Sequence, residues 1–126
     1  MKGSQVDVTV VLPTKNEEAN LPRFLSSLPA DIPLIVLDDS TDGTPALLRS
    51  LSPRNNRLVP MAGGVSAKRQ SGAELAQSRW VLFTDADIQF APGYFNKLKG
   101  SLKGDLVYGP KLSSQKHLLY YGIFFL

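Results

Sequence analysis

Apolar residues in this chain fall into short, nearly continuous runs, and most of these runs end abruptly in a polar cluster. Residues 6–12 are a β-branched run that stops at Pro13, which predicts a buried strand. Residues 16–28 predict a helix. Asn16 or Asn20 serves as its N-cap, Glu17 and Glu18 favour its positive end, and Pro22 is tolerable only in the first turn. A second strand, 34–37, runs into Asp38-Asp39-Ser40-Thr41-Asp42-Gly43. Thr44 then caps a short helix to about residue 51, with Pro45 at its first position. Residues 57–60 are a weak third strand. A helix over 66–78 follows, whose apolar positions Ala67, Ala73, Leu75 and Ala76 are small enough for close packing. Residues 80–84 predict a fourth strand, 92–102 a helix, and 105–108 a fifth strand ending at Gly109-Pro110. Strands alternating with helices, and strands apolar throughout, predict an α/β fold: a mostly parallel sheet with helices on both faces.

Length and composition narrow the class. At 126 residues the chain is one domain by length, and small for an enzyme with two substrates. Apolar content of 43% and charged content of 20% are ordinary for a globular domain. A net charge of +3 suits anionic ligands or an anionic membrane surface. The basic residues are scattered, not striped along one helix, so nucleic acid is not an expected partner. The absence of cysteine excludes a disulfide scaffold, thiolate metal sites and thiol catalysis, and suits the cytoplasm. The N-terminal residues do not read as a signal peptide, so none is expected, and no run reaches the roughly 20 apolar residues of a membrane span.

The candidate chemistry lies at the strand ends. Asp85-Ala86-Asp87 closes the fourth strand, and side chains at i and i+2 of an extended segment share a side. Two carboxylates so placed can converge on a hard cation that also accepts phosphate oxygens. The plainer alternative is one Asp capping the next helix and the other solvated in a loop. Pro13-Thr14-Lys15-Asn16-Glu17 follows the first strand and Asp38-Asp39 the second. In an open α/β sheet ligands bind beyond the carboxyl ends of the strands, so a parallel sheet gathers these clusters on one rim. Residues 38–43 resemble the start of a calcium loop, but Arg49 stands where a bidentate Glu is required. Gly63-Gly64 followed by Lys68 lacks the Gly-Lys-Ser/Thr junction of a P-loop.

Taken in order, the segments Val10-Val11-Leu12-Pro13-Thr14-Lys15-Asn16-Glu17-Glu18, Ile35-Val36-Leu37-Asp38-Asp39-Ser40-Thr41-Asp42-Gly43-Thr44, Ala67-Lys68-Arg69-Gln70-Ser71-Gly72 and Val81-Leu82-Phe83-Thr84-Asp85-Ala86-Asp87 resemble the family 2 glycosyltransferases. These have the GT-A fold, a Rossmann-like nucleotide-sugar-binding domain, and the dolichyl-phosphate mannosyltransferase and polysaccharide-type members are the most similar. The resemblance covers roughly residues 6–110. It implies that Pro13, Thr14, Asn16 and Glu17 line a nucleotide pocket and that Asp38 or Asp39 reads the base. It implies that Arg69, with Lys68 as a second candidate, approaches the diphosphate or ribose. Asp85 would sit near ribose and metal, and Asp87 would hold Mg²⁺ or Mn²⁺ against the diphosphate of a UDP- or GDP-sugar, as in a DXD motif. The acceptor would be a glycan or a polyprenyl phosphate. Gln70 stands where such enzymes usually carry Asn, with the amide kept.

The resemblance implies less for the end of the chain. Family members usually continue further, and their second half builds the acceptor site and, in inverting members, supplies a carboxylate base. Nothing acidic follows Asp105, and His117 is the remaining side chain able to titrate near neutral pH. Residues 111–126 are expected to form an apolar C-terminal helix beyond a nucleotide-sugar-binding unit at 1–110. That helix would pack on the sheet, join a second copy, or lie against the inner face of a membrane with Lys111 and Lys116 near the headgroups. Two functions follow: a metal-dependent glycosyltransferase, or a nucleotide-sugar-binding module with little turnover that a partner or further sequence completes. A sugar-nucleotidyltransferase would need a Gly-rich loop after the first strand, and an Asp-x-Asp phosphatase would need Thr or Val at the position of Gln89.

Overall fold

The computed structural model describes residues 7–50, 56–102, 106–112 and 118–125. In chain order these form β1 (Val8–Thr14), α1 (Leu21–Ser27), β2 (Leu34–Asp38), α2 (Thr44–Ser50), β3 (Asn56–Pro60), α3 (Val65–Leu75), β4 (Trp80–Phe83), α4 (Tyr94–Ser101), β5 (Leu106–Leu112) and β6 (Leu118–Phe125). One sheet has the order β3-β2-β1-β4-β6-β5. Its β3, β2, β1 and β4 strands are mutually parallel, whereas β6 is antiparallel to both β4 and β5. The expected α/β class and mostly parallel sheet are present.

Residue alternation along the strands explains the two layers. Val8, Val10 and Leu12 of β1, with Leu34, Val36 and Leu82, face one side of the sheet. There they meet Leu21, Phe24 and Leu25 of α1, Leu48 of α2, and Phe95 and Leu98 of α4. The intervening residues Val11, Ile35, Leu37 and Val81 face the other side, where Leu75 of α3 packs. Helix α3 comes close because Gly72 lies over Val11 and Leu37. The strand β1 continues through Pro13 although it is central. Val10 donates toward β2, so the alternation turns the nitrogen of Pro13 toward β4, whose pairing with β1 has already ended at Val11↔Phe83.

The end of the chain differs from the sequence expectation. Residues 118–125 are not helical: they form β6, paired with β4 from Trp80↔Phe125 to Leu82↔Ile123 and with β5 along its length. A short apolar run rich in Tyr, Ile and Phe has no period that separates strand from helix. The free edge of β4 decides, because its backbone groups need partners. Strand β5 also runs across the expected boundary at residue 110, so the segment after it belongs to the same sheet. Pro110 is accommodated because β5 is the edge strand. His117 and Asp105 lie outside the described residues.

Candidate functional site

The parallel strands bring Thr14, Asp38 and Asp85 to one rim. Thr14 is in register with Asp38, and Val11 with Phe83, two residues before Asp85. Beyond that rim lies a cleft of about 350 Å³ lined by Pro13, Thr14, Lys15, Glu17, Asn20, Val65, Lys68, Asp85 and Asp87. A second opening of about 460 Å³, lined by Asp38, Asp39, Ser40, Arg49, Pro60 and Met61 among others, lies at the ends of β2 and β3.

The loops after β1 and β2 are stitched together by their own polar residues. Asn16 sits at φ 57, in the left-handed region that Asn tolerates better than most residues. From there its Oδ1 accepts from the backbone N–H of Thr41 at 2.8 Å and of Asp42 at 3.2 Å, and its own N–H donates to Ser40 Oγ at 2.7 Å. The backbone N–H of Glu17 donates to Thr44 Oγ1 at 3.0 Å, and Asn20 Nδ2 donates to Glu17 Oε1 at 2.9 Å. Asn16 therefore joins two loops and does not begin a helix. Asn20 occupies the N-cap position of α1. Asp42 accepts from Thr44 N–H and Oγ1, a contact that holds its carboxyl below the usual carboxylate range.

Asp38 and Asp39, equivalent in sequence, are not equivalent in structure. Asp38 is buried, and its Oδ1 accepts from Thr14 Oγ1 at 2.6 Å and from Ser40 Oγ at 2.5 Å. Its Oδ2 accepts from Ser40 N–H at 3.1 Å. It is a structural acceptor at the end of β2. Asp39 is partly exposed and accepts on Oδ1 from Lys68 Nζ at 2.5 Å. The Lys68 hydrogen bond holds the Asp39 carboxyl below its usual range, helped by the charges of Lys68 and Lys15 and opposed by desolvation. Lys68 itself is only 3% exposed, and its Nζ also donates to the backbone oxygen of Thr14 at 3.2 Å.

The third cluster is more open. Arg69 Nη2 donates to Asp85 Oδ1 at 3.2 Å, and the guanidinium carbon lies 6.0 Å from the ring centre of Phe83. Asp85 remains about half exposed. Among the described residues Arg69 Nε is buried without a hydrogen-bond partner. Asp87 is exposed and lines the cleft with Asp85. Among the described residues no group of three His, Cys, Asp or Glu side chains gathers as a complete metal site. Two carboxylates in one cleft offer two hard oxygen ligands, which fit a divalent cation that takes the rest of its shell from other groups.

Of the residues singled out from sequence, Pro13, Thr14, Glu17, Lys68, Asp85 and Asp87 share the cleft. Asp38 and Asp39 line the neighbouring opening, joined to the cleft through Thr14 and Lys68. Outside its lining, Arg69 pairs with Asp85, and Asn16 ties the loop after β1 to Ser40, Thr41 and Asp42. Sequence reasoning did not single out Val65, a cleft residue that is 51% exposed. An apolar residue directly after Gly63-Gly64 at a helix start was the available signal. Nor did it find Ser40, whose place two residues after a strand-end Asp marks a side-chain turn.

Comparison with known proteins bears on this geometry. The family model for glycosyl transferase family 2 matches residues 9–117. The undecaprenyl-phosphate 4-deoxy-4-formamido-L-arabinose transferase of Aeromonas hydrophila is 35% identical over 98 residues, which cover 68% of this chain and 30% of that protein. Among solved structures, the mannosyltransferase PcManGT of Pyrobaculum calidifontis, in complex with GDP-Man and Mn²⁺, superposes with a TM-score of 0.66 at 28% identity. That match covers 75% of this chain and 32% of the other. S. aureus TarS, residues 1–349, gives 0.68 at 24% identity with the same shares, a likeness of fold. The chain thus spans about a third of the length of these proteins.

Proposed function

The chain belongs to glycosyl transferase family 2, and from that premise we propose that it is the donor-binding part of a glycosyltransferase using a UDP- or GDP-sugar. The observation that carries this reading is the placement of Asp85 and Asp87 in one cleft with Pro13, Thr14, Glu17 and Lys68. The nucleoside would lie toward Asp39, with the diphosphate toward Asp85 and Asp87. Asp87, with Asp85, would hold Mg²⁺ or Mn²⁺. When bound, such an ion neutralises charge that develops on the departing nucleoside diphosphate. Arg69 beside Asp85 brings a guanidinium near the same charge, and the buried Lys68 fixes the wall between the two openings. The stitched loops after β1 and β2 hold the donor side of the site in place before any sugar arrives.

The acceptor would be a glycan or a polyprenyl phosphate. The Aeromonas relative is named for transfer to undecaprenyl phosphate, which supports the lipid-linked choice. That acceptor would bring the protein to a membrane face; among the described residues no helix is long and apolar enough to cross a membrane. A second reading is a nucleotide-sugar-binding module with little turnover.

Calorimetry of UDP, GDP and their sugars, with and without Mn²⁺, tests the proposal on wild type and Asp87→Ala. Metal should raise wild-type affinity at least tenfold and leave Asp87→Ala nearly unchanged. Affinity indifferent to both metal and Asp87 would refute the metal role. Release of nucleoside diphosphate on adding a polyprenyl phosphate separates the enzyme from the module.

A further inference from the structure

Asp39 is held from two directions. Its backbone N–H donates to the Thr14 carbonyl at 3.4 Å, and that same carbonyl accepts from Lys68 Nζ, which also holds Asp39 Oδ1. Lysine carries three donors and no acceptor, so whatever atom Lys68 faces must be an acceptor. Its burial at 3% exposure, on a helix locked to the sheet at Gly72, leaves the ammonium little room to move. One carboxylate oxygen of Asp39 is therefore committed to Lys68. Asp39 lines the opening beside Met61 and Pro60, and the second oxygen of an ionised carboxylate can only accept.

Resting on the donor-binding reading above, we infer that Lys68 is a positioning residue for base specificity. By orienting Asp39, it makes the site accept a base that presents a ring N–H and reject one that presents a bare ring nitrogen. Uracil and guanine offer the N–H. Cytosine and adenine offer a lone pair, which would face the carboxylate oxygen without a proton between them. A site built around a fixed acceptor rejects such analogues more strongly than an apolar slot rejects a change of size. The depressed acidity range of Asp39 is consistent with this, because it keeps the carboxylate ionised at neutral pH.

The test is a panel of UDP, GDP, CDP and ADP titrated in Mn²⁺ against wild type, Lys68→Met and Asp39→Asn, each checked for folding by circular dichroism. Wild type should bind UDP or GDP at least tenfold more tightly than CDP and ADP. In Lys68→Met that ratio should collapse toward one; if instead all four weaken by a common factor, Lys68 is only structural and the inference fails. Asp39→Asn provides a second arm should Lys68→Met not fold. Lys68 must take the amide oxygen, which turns the NH₂ toward the base, so the preference should move to CDP; an unchanged order would overturn the inference. Equal binding of all four by wild type would overturn it too, while leaving donor binding intact. No binding of any nucleotide by folded wild type would sink the donor reading itself.

Discussion

Replacing Gly72 by Ala should destabilise the protein, although the same change in an exposed helix interior stabilises by about 1 kcal/mol. Gly72 is buried on the sheet-facing side of α3. A methyl there would fall deep inside van der Waals contact with Val11 Cγ1, and 3.1 Å from both Val11 Cγ2 and Leu37 Cδ2. Carbon atoms pack best at about 3.5–4.0 Å. Val11 and Leu37 are each 0% exposed, on strands with neighbours on both sides, so neither can retreat. Overpacking costs about 1–3 kcal/mol, and with both neighbours fixed the upper part of that range applies, about 2–3 kcal/mol, which exceeds the propensity gain and leaves a net loss of about 1–2 kcal/mol. For a domain of this size that is a fall in Tm of about 3–8 °C. If α3 shifts outward to relieve the contact, Lys68 and Arg69 move with it, and nucleotide affinity should drop tenfold or more. Urea unfolding and calorimetry on the same samples read both effects. Val11→Ala should restore room, so that the double variant is at least about 1 kcal/mol more stable than the two single losses added together. A Gly72→Ala protein as stable as wild type, or strict additivity with Val11→Ala, would refute the packing argument.

Three further outcomes follow from the site. Asn16→Ala removes the acceptor of two loop N–H groups and places a less tolerant residue at φ 57; it should cost about 1–2 kcal/mol in urea unfolding and weaken nucleotide binding. Thr14→Val takes one donor from the buried Asp38 carboxylate while Ser40 remains, a loss of about 1–3 kcal/mol by the same assay. Asp39 and Asp42 have folded pKa values below their unfolded ones, through Lys68 and Thr44 respectively. Their contribution is present above the ordinary carboxylate range and is lost as pH falls through the lowered folded values. The urea midpoint should therefore hold above about pH 5 and fall below about pH 4, less steeply in Asp39→Asn than in wild type.

The chain's own pattern determined the class of fold and the rim. Short apolar runs bounded by turn residues and alternating with helical segments predict parallel strands, and the gathering of their polar ends on one rim follows from their being parallel. The family and most cleft residues were legible for the same reason: they belong to local segments, each a few residues long. What needed the tertiary structure was every choice between equals. Asp38 and Asp39 are adjacent and identical, and only Thr14 and Ser40 on one side and Lys68 on the other make the first structural and the second available. Asn16 reads as a helix cap until the loop after β2 supplies Thr41 and Asp42 as donors. The apolar residues 118–125 could have been a helix, and became β6 because β4 and β5 offered unpaired backbone on both sides. Local propensity writes the elements, whereas hydrogen bonds between residues far apart in sequence assign the side chains their tasks.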